Sequence, residues 1–464
     1  MVFRSRKTYS LQIRCCWANT WRLLPAVQSL RSARLPGSWP AGTTLALGFW
    51  LLPAARPPER LRQPFKESFV SISSASNPRE ALQVARQLAD QFATSAAERD
   101  ERGGTPKAER DAIRASGLLT LNIPREYGGL GATWGETLEV VRTFARVDSS
   151  IAHVYGFQHL MLATVRLFGS TAQWQPWYEG TARHNWFWGN ALNPLDKRTQ
   201  VIRHQGWREF SGNKSFCSGA SDSDMLIASA IDPSDDDRLL IAAIPTDRAG
   251  ITLHGDWNNM GQRQTDSGSA TFERVRVEEN ELLLDPGPLS SPFASLRPLL
   301  AQLTFVNLFL GIAEGAFEQA RGYTRNEARP WFKSDASQAS RDPYVLLHYG
   351  EFWAGLDAVR ALTERANQLF EAAWNKAEAL GEEERGQLAL AIGSAKVNAT
   401  RVGLDLTSRL FEVTGARATS AARRLDRFWR NLRTQTLHDP LDYRIRELGE
   451  WALNGTPPEP SFYS

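Results

Sequence analysis

Between residues 77 and 185, apolar residues recur at three- and four-residue intervals, the spacing of helices packed on one face. The stretch "NPREALQVARQLADQFATSAAERDERGG" predicts a helix with Asn77 as N-cap, Pro78 in its first turn and a Gly103-Gly104 stop. "TPKAERDAIRASGLLTLNIP" predicts a second, ended by Gly117 and Pro124, and "TWGETLEVVRTFARVDSSIAHVYGFQHLMLATVRLFGS" predicts two more. Near Trp186 the period changes. "REFSGNKSFCSGASDSDMLIASAI", "RLLIAAIPTDRAGITLHGDW" and "SGSATFERVRVEENELL" alternate or run β-branched between Gly, Asp, Asn and Ser, a strand-and-turn signature. From Pro298 helical spacing returns in four long segments, 299–329, 343–376, 383–414 and 421–437, each long enough for a bundle helix. Pro440 has no N–H and restricts the residue before it, so the last segment breaks at "TLHDP". The pattern predicts a mainly α chain with a central β domain. An N-terminal helical domain covers 77–185, a middle β-barrel or sandwich 186–290, and a C-terminal four-helix bundle 295–455.

Composition narrows the setting. The chain has 464 residues and an ordinary apolar share of 42%. Its net charge of +3 hides an uneven distribution. Residues 1–58 hold eight Arg/Lys and no Asp or Glu, whereas the rest carries 46 basic and 51 acidic residues. The globular part is therefore mildly acidic, which argues against nucleic-acid binding. Residues 1–70 read as an extension outside the fold: disordered, a targeting peptide, or upstream sequence translated from a misplaced start. Its apolar run "GTTLALGFWLLPAA" is too short for a membrane span. Three cysteines, with no C-x-x-C, exclude a disulfide framework and a cysteine zinc site, and no metal is expected. A cytoplasmic location follows as the expectation.

Two stretches in the β region, "GNKSFCSGASDSDMLI" and "MGQRQTDSGSATFERVRV", combine with the helix–β–helix order to resemble the acyl-CoA dehydrogenase superfamily over residues 78–455. Within it, "ERDERGG", "SGLLTLNIPREYGG", "MGQRQTDSGS", "TRNEARPW", "DRFWRN" and "LHDP" resemble most the dibenzothiophene monooxygenase family, reduced-flavin-dependent S-oxygenases of desulfurization. The resemblance implies an acyl-CoA dehydrogenase-type fold, a homotetramer, FMN used as FMNH2, O2, and an organosulfur substrate oxygenated through a flavin peroxide. No G-x-G-x-x-G follows a predicted strand, so a separate NAD(P)H:flavin reductase is expected to supply FMNH2.

Departures from true dehydrogenases carry the functional reading. Those enzymes use a glutamate base after a tyrosine. Here the aligned positions are His438 and Asp439, and Asp439 is one methylene shorter and fixed by Pro440. A base must reach its proton within about 3 Å. Read alone, His438-Asp439 is a helix cap or a catalytic group. The resemblance implies that the imidazole donates or accepts a proton at the oxygenating flavin. Where dehydrogenases carry small residues beside FAD, the chain has Arg417 in "VTGARATS", and Arg329 lies in "NEARPW". Two arginines suit the terminal phosphate of FMN over FAD. In the family these contacts cross a subunit boundary.

By position, the resemblance adds His153 and Ser218 as catalytic candidates and Asn190, Phe216, Ser218 and Trp257 as flavin contacts. Phe157, Trp186 and Trp188 are expected to wall an apolar substrate chamber that keeps water out. The family has a second histidine where this chain has Gln435, and a tyrosine where it has Phe157. His159, His184, His204, His254 and His348 read as structural, and Cys217 as a small buried hydrophobe. The rival functions are an FAD-dependent acyl-CoA dehydrogenase and an N- or aromatic hydroxylase of the same fold.

Overall fold

The computed structural model describes residues 74–463, so the 1–70 extension lies outside the described residues but for its sequence. Five helices come first: α1 (Pro78–Arg102), α2 (Lys107–Ala115), α3 (Trp134–Ala145), α4 (Ser149–Phe168) and α5 (Thr171–His184). Asn77 caps α1 as the sequence requires, its side chain accepting from the Glu80 N–H, and Gly103 ends it at φ 66°. Thr133 and Glu136 form a capping box at the start of α3. The sequence pattern does not signal α5, because Pro176 and its polar face interrupt the apolar spacing.

Seven strands follow: β1 (Trp188–Ala191), β2 (Gln200–His204), β3 (Trp207–Lys214), β4 (Met225–Asp232), β5 (Arg238–Pro245), β6 (Ile251–Leu253) and β7 (Ala270–Glu278). They form one sheet in the order β1-β4-β2-β3-β7-β6, with β5 paired to β4. Strand β4 is buried along its whole length. Its side chains alternate: Ile227 joins the helical core, while Leu226, Ala228 and Ala230 join a separate core with Phe210, Phe272 and Val275. The sheet therefore curls over an interior of its own.

The C-terminal helices are α6 (Leu296–Asn326), α7 (Pro343–Lys376), α8 (Glu382–Thr414), α9 (Asp426–Gln435) and α10 (Leu441–Asn454). Helices α4 and α6 are apolar on nearly every side because neighbours cover every side. Helix α6 is long and apolar enough to cross a membrane, yet its most apolar window is wholly buried inside the protein. A buried ion pair ties the N-terminal helices together. Arg99 on α1 bonds Glu109 of α2 at 2.7 Å and Asp148, the N-cap of α4, at 2.8 Å.

Candidate active site

A cavity of about 610 Å³ opens where α4, the sheet loops, the start of α6 and the α9–α10 junction meet. That is ample for a small-molecule site. Helix α4 supplies His153 and Phe157, one turn apart on the same face, with rings stacked at 4.1 Å. Phe305 of α6 backs both His153 and His438, at 6.2 and 4.8 Å between centroids.

Two loops make the opposite wall. Asn190 on β1 donates its backbone N–H to the Ser218 carbonyl at 3.0 Å. The Ser218 hydroxyl meets that of Ser267 at 2.7 Å, and Ser267 meets Thr265 at 2.7 Å. Phe216 takes a left-handed conformation (φ 60°), leaving its ring exposed and edge-on to Trp257 at 6.0 Å. The Trp257 indole donates to the Gln262 carbonyl at 2.7 Å. This second loop is fastened to α9: the Gln262 N–H donates to Asn431 Oδ1 at 2.7 Å, and a side chain at Gly261 would collide with the Arg430 carbonyl at 2.1 Å.

Helix α9 ends at Gln435, and Pro440 opens α10, so residues 436–439 turn between two helices. His438 lands on the cavity there, with Nδ1 3.0 Å from Asp439 Oδ1. An ionised carboxylate only accepts, so Nδ1 carries the proton and Nε2 is left for the cavity. Lys396 of α8 grips both Asp439 oxygens, at 2.6 and 2.7 Å, and also bonds Gln302. Burial alone would raise the Asp439 carboxyl. The hydrogen bond from His438 and the Lys396 charge outweigh it and hold the carboxyl well below the usual carboxylate range. Burial, aided by repulsion from His438, pushes the His153 imidazole down to about 3, so His153 is neutral.

Two buried polar atoms on this wall have no partner among the described residues, Asn190 Oδ1 and Gln262 Nε2, and His153 is met only by the side chain of Gln435. Orphaned donors and acceptors are rare in a protein interior. Set beside Phe216 and Trp257, they fit a flat heteroaromatic ring with an amide-like edge, which is the isoalloxazine of a flavin.

Four expected residues lie elsewhere. Trp188 is buried against α5, its indole donating to Thr181 at 2.9 Å, and Trp186 stacks on His184 over Gly180. Both indoles serve the packing of α5 and neither lines the cavity. Arg329 and Arg417 are exposed beyond the C-terminal ends of α6 and α8, where Arg417 Nη2 lies 3.5 Å from the Glu327 carbonyl. At 1.5 Å per residue, α6 carries that end about 36 Å from Gln302 at the cavity. Conversely, Gln262, Arg297, Gln302, Phe462 and Tyr463 line the cavity without having been anticipated. Arg297 had a signal, a lone charge in the apolar run "FASLRPLLAQL"; the tail residues had none.

Family models agree with this geometry. Residues 77–185 match the acyl-CoA dehydrogenase N-terminal domain and 303–443 the C-terminal domain. A probable FMNH2-dependent monooxygenase, SfnC of Pseudomonas putida, is 72% identical over 83% of this chain and 98% of its own length. Dibenzothiophene monooxygenase of Rhodococcus erythropolis is 42% identical over 82% of this chain and 95% of its own. Among solved structures, methanesulfinate monooxygenase MsuC of Pseudomonas fluorescens superposes with a TM-score of 0.82 at 72% identity, covering 82% of this chain and 99% of that one. FMN-bound TdsC of Paenibacillus sp. A11-2 gives 0.80 at 45% identity, covering 83% and 100%.

Proposed function

The chain belongs to the flavin-dependent monooxygenases built on the acyl-CoA dehydrogenase fold, and on that premise we propose that it transfers one atom of O2 to the sulfur of a small organosulfur compound in the cavity between His153 and His438. FMN, bound in its reduced form, supplies the two electrons that activate O2. The chain's own residues do the rest. Asn190, Ser218 and Gln262 hold the polar edge of the ring, and Phe216 and Trp257 cover it. Neutral His153 with Phe157 forms a flat face that adds no charge beside the reacting centre. His438 holds or moves a proton at Nε2, with Nδ1 fixed by Asp439 and Asp439 fixed by Lys396. Apolar side chains at Leu160, Leu192 and Ala301 exclude water.

The observation that carries this reading is the Lys396–Asp439–His438 relay at the cavity edge. It also disfavours the dehydrogenase alternative. A carboxylate bonded to an ammonium and an imidazole is not free to abstract an α-proton. Arg329 and Arg417 lie too far along the bundle to reach their own chain's cavity, and the arrangement proposed for them is a homotetramer in which a neighbouring copy's pair holds the FMN phosphate. The seven strands among the described residues all belong to one sheet, which supports a separate NAD(P)H:flavin reductase as the source of FMNH2. The buried free thiol of Cys217 suits a reducing compartment such as the cytoplasm.

The test is a single turnover with anaerobically reduced FMN, an organosulfur substrate and ¹⁸O2. One labelled oxygen per product is expected. Unlabelled product, or reduction of bound flavin by an acyl thioester, would sink the reading.

A further inference from the structure

The cavity contains a charged side chain that no carboxylate of the described residues pairs. Arg297 sits in the first turn of α6, lines the cavity and is 7% exposed. Its Nε lies 3.4 Å from the Thr164 hydroxyl, and no carboxylate pairs with it among the described residues. Where a carboxylate is within reach it compensates the buried cation, as Glu109 and Asp148 do for Arg99, Asp222 for Arg110 and Asp439 for Lys396, and Lys214 is instead held by the carbonyls of Asn193 and Asp196. Burying a charge without a partner is costly, and an arriving anion removes that cost.

Its place in the cavity gives the anion a role. His153, Phe157, Leu160 and Thr164 form one stripe along α4. The polar atoms assigned to the flavin cluster at the His153 end, and Arg297 is anchored at the Thr164 end. Tyr463 neighbours both sides of the gap, with its ring 5.8 Å from that of His438 and its hydroxyl within the field of Arg297. Burial pulls the guanidinium down only to about 10, so it stays cationic at neutral pH. Thus the substrate end of the cavity offers a cation, whereas a neutral thiophene would leave that charge buried and unpaired.

We propose that Arg297 is the specificity-determining residue of the substrate pocket, and that it selects organosulfur anions of the sulfinate class over neutral thiophenes. The proposal rests on the monooxygenase reading above. The guanidinium forms charge-assisted hydrogen bonds to the sulfinate oxygens and leaves the sulfur lone pair free for oxygen transfer. The reaction balances as R–SO2⁻ + O2 + FMNH2 → R–SO3⁻ + FMN + H2O. One oxygen atom forms the new S–O bond, the other leaves as water with two protons, and FMNH2 provides both electrons.

The experiment compares methanesulfinate with the neutral dimethyl sulfoxide in wild type, Arg297→Met and Arg297→Lys. Wild type is expected to prefer the anion. In Arg297→Met the ratio of kcat/KM for anion over neutral compound should fall at least tenfold, chiefly through KM, with partial recovery in Arg297→Lys and FMN affinity retained. An unchanged ratio overturns the proposal, as does a wild type that oxygenates only the neutral compound; in both cases the monooxygenase reading stands. If wild type with FMNH2 oxygenates neither, the proposal falls together with that reading. Should the buried substitutions fail to fold, inhibition of wild type decides. Methanesulfonate should inhibit competitively at least tenfold more strongly than dimethyl sulfone, its uncharged near-isostere, and equal inhibition overturns the proposal.

Discussion

Lys396 on α8 closes on both carboxylate oxygens of Asp439, 43 residues further along the chain, with only 3% and 12% of the two side chains exposed. Burial lowers the Lys396 ammonium even though Asp439 opposes that shift, so the carboxylate is the partner that gains from the pair. Removing Lys396 leaves a buried anion beside His438. Lys396→Met is expected to cost about 3–5 kcal/mol of stability, part of it recovered by adding Asp439→Asn, as read from denaturant unfolding. The depressed carboxyl contributes stability above the unfolded value of about 4, lost as pH falls further through the folded value. Wild type should lose this increment on acidification below pH 4, and the double variant should not.

His438 tests the chemistry itself. His438→Ala is expected to slow oxygenation by about 10² to 10⁴, with FMN still bound. Asp439→Asn should slow it less, because the imidazole remains but loses its fixed orientation. Rapid-mix assays with reduced FMN provide both values. A normal rate in His438→Ala would remove the residue from the mechanism.

His153 gives a pH dependence of opposite origin. Its imidazole is held neutral, at about 3, by burial first and by His438 second. Its unfolded counterpart takes up a proton near pH 6.5. The unfolded state therefore binds more protons as pH falls, and the folded state loses stability below about 6.5. The loss reaches about 2 kcal/mol by pH 5 for a group that remains neutral when folded. Flavin-free His153→Phe should show a shallower decline between pH 6.5 and 5 in urea melts.

The phosphate role proposed for Arg329 and Arg417 can be tested apart from ring binding. Arg417→Ala and Arg329→Ala are expected to weaken FMN at least tenfold while leaving riboflavin, which has no phosphate, unaffected. Fluorescence titration measures both. Equal losses for the two flavins would show that these side chains act on something other than the phosphate.

The sequence was most legible where local chemistry and packing agree. Asn77, Gly103 and Thr133 end or start helices as their side chains demand, and α4 and α6 announce their burial by apolar residues on every face. His153, Phe157, Asn190, Phe216, Ser218, Trp257 and His438 meet at one cavity, although five separate segments supply them. Trp186 and Trp188 were not legible in this way. A tryptophan beside a site residue on a short strand packs wherever volume is needed, and α5, hidden by Pro176, supplied that need. Lys396 and Gln302 could not be found from spacing, since each acts only through a partner far away in the chain.

The fastening of Gly261 and Gln262 to α9 has a dynamic consequence. The loop bearing Trp257 and the helix that delivers His438 share backbone contacts too close to slide. They must move as one rigid body, so a hinge opening the cavity cannot run between them. The opposite wall, the segment carrying Phe462 and Tyr463, is held by side chains instead, Gln302 at 3.3 Å and Arg444 both donating to the Tyr463 carbonyl, so an opening of the cavity is expected to displace this segment and to break side-chain bonds only.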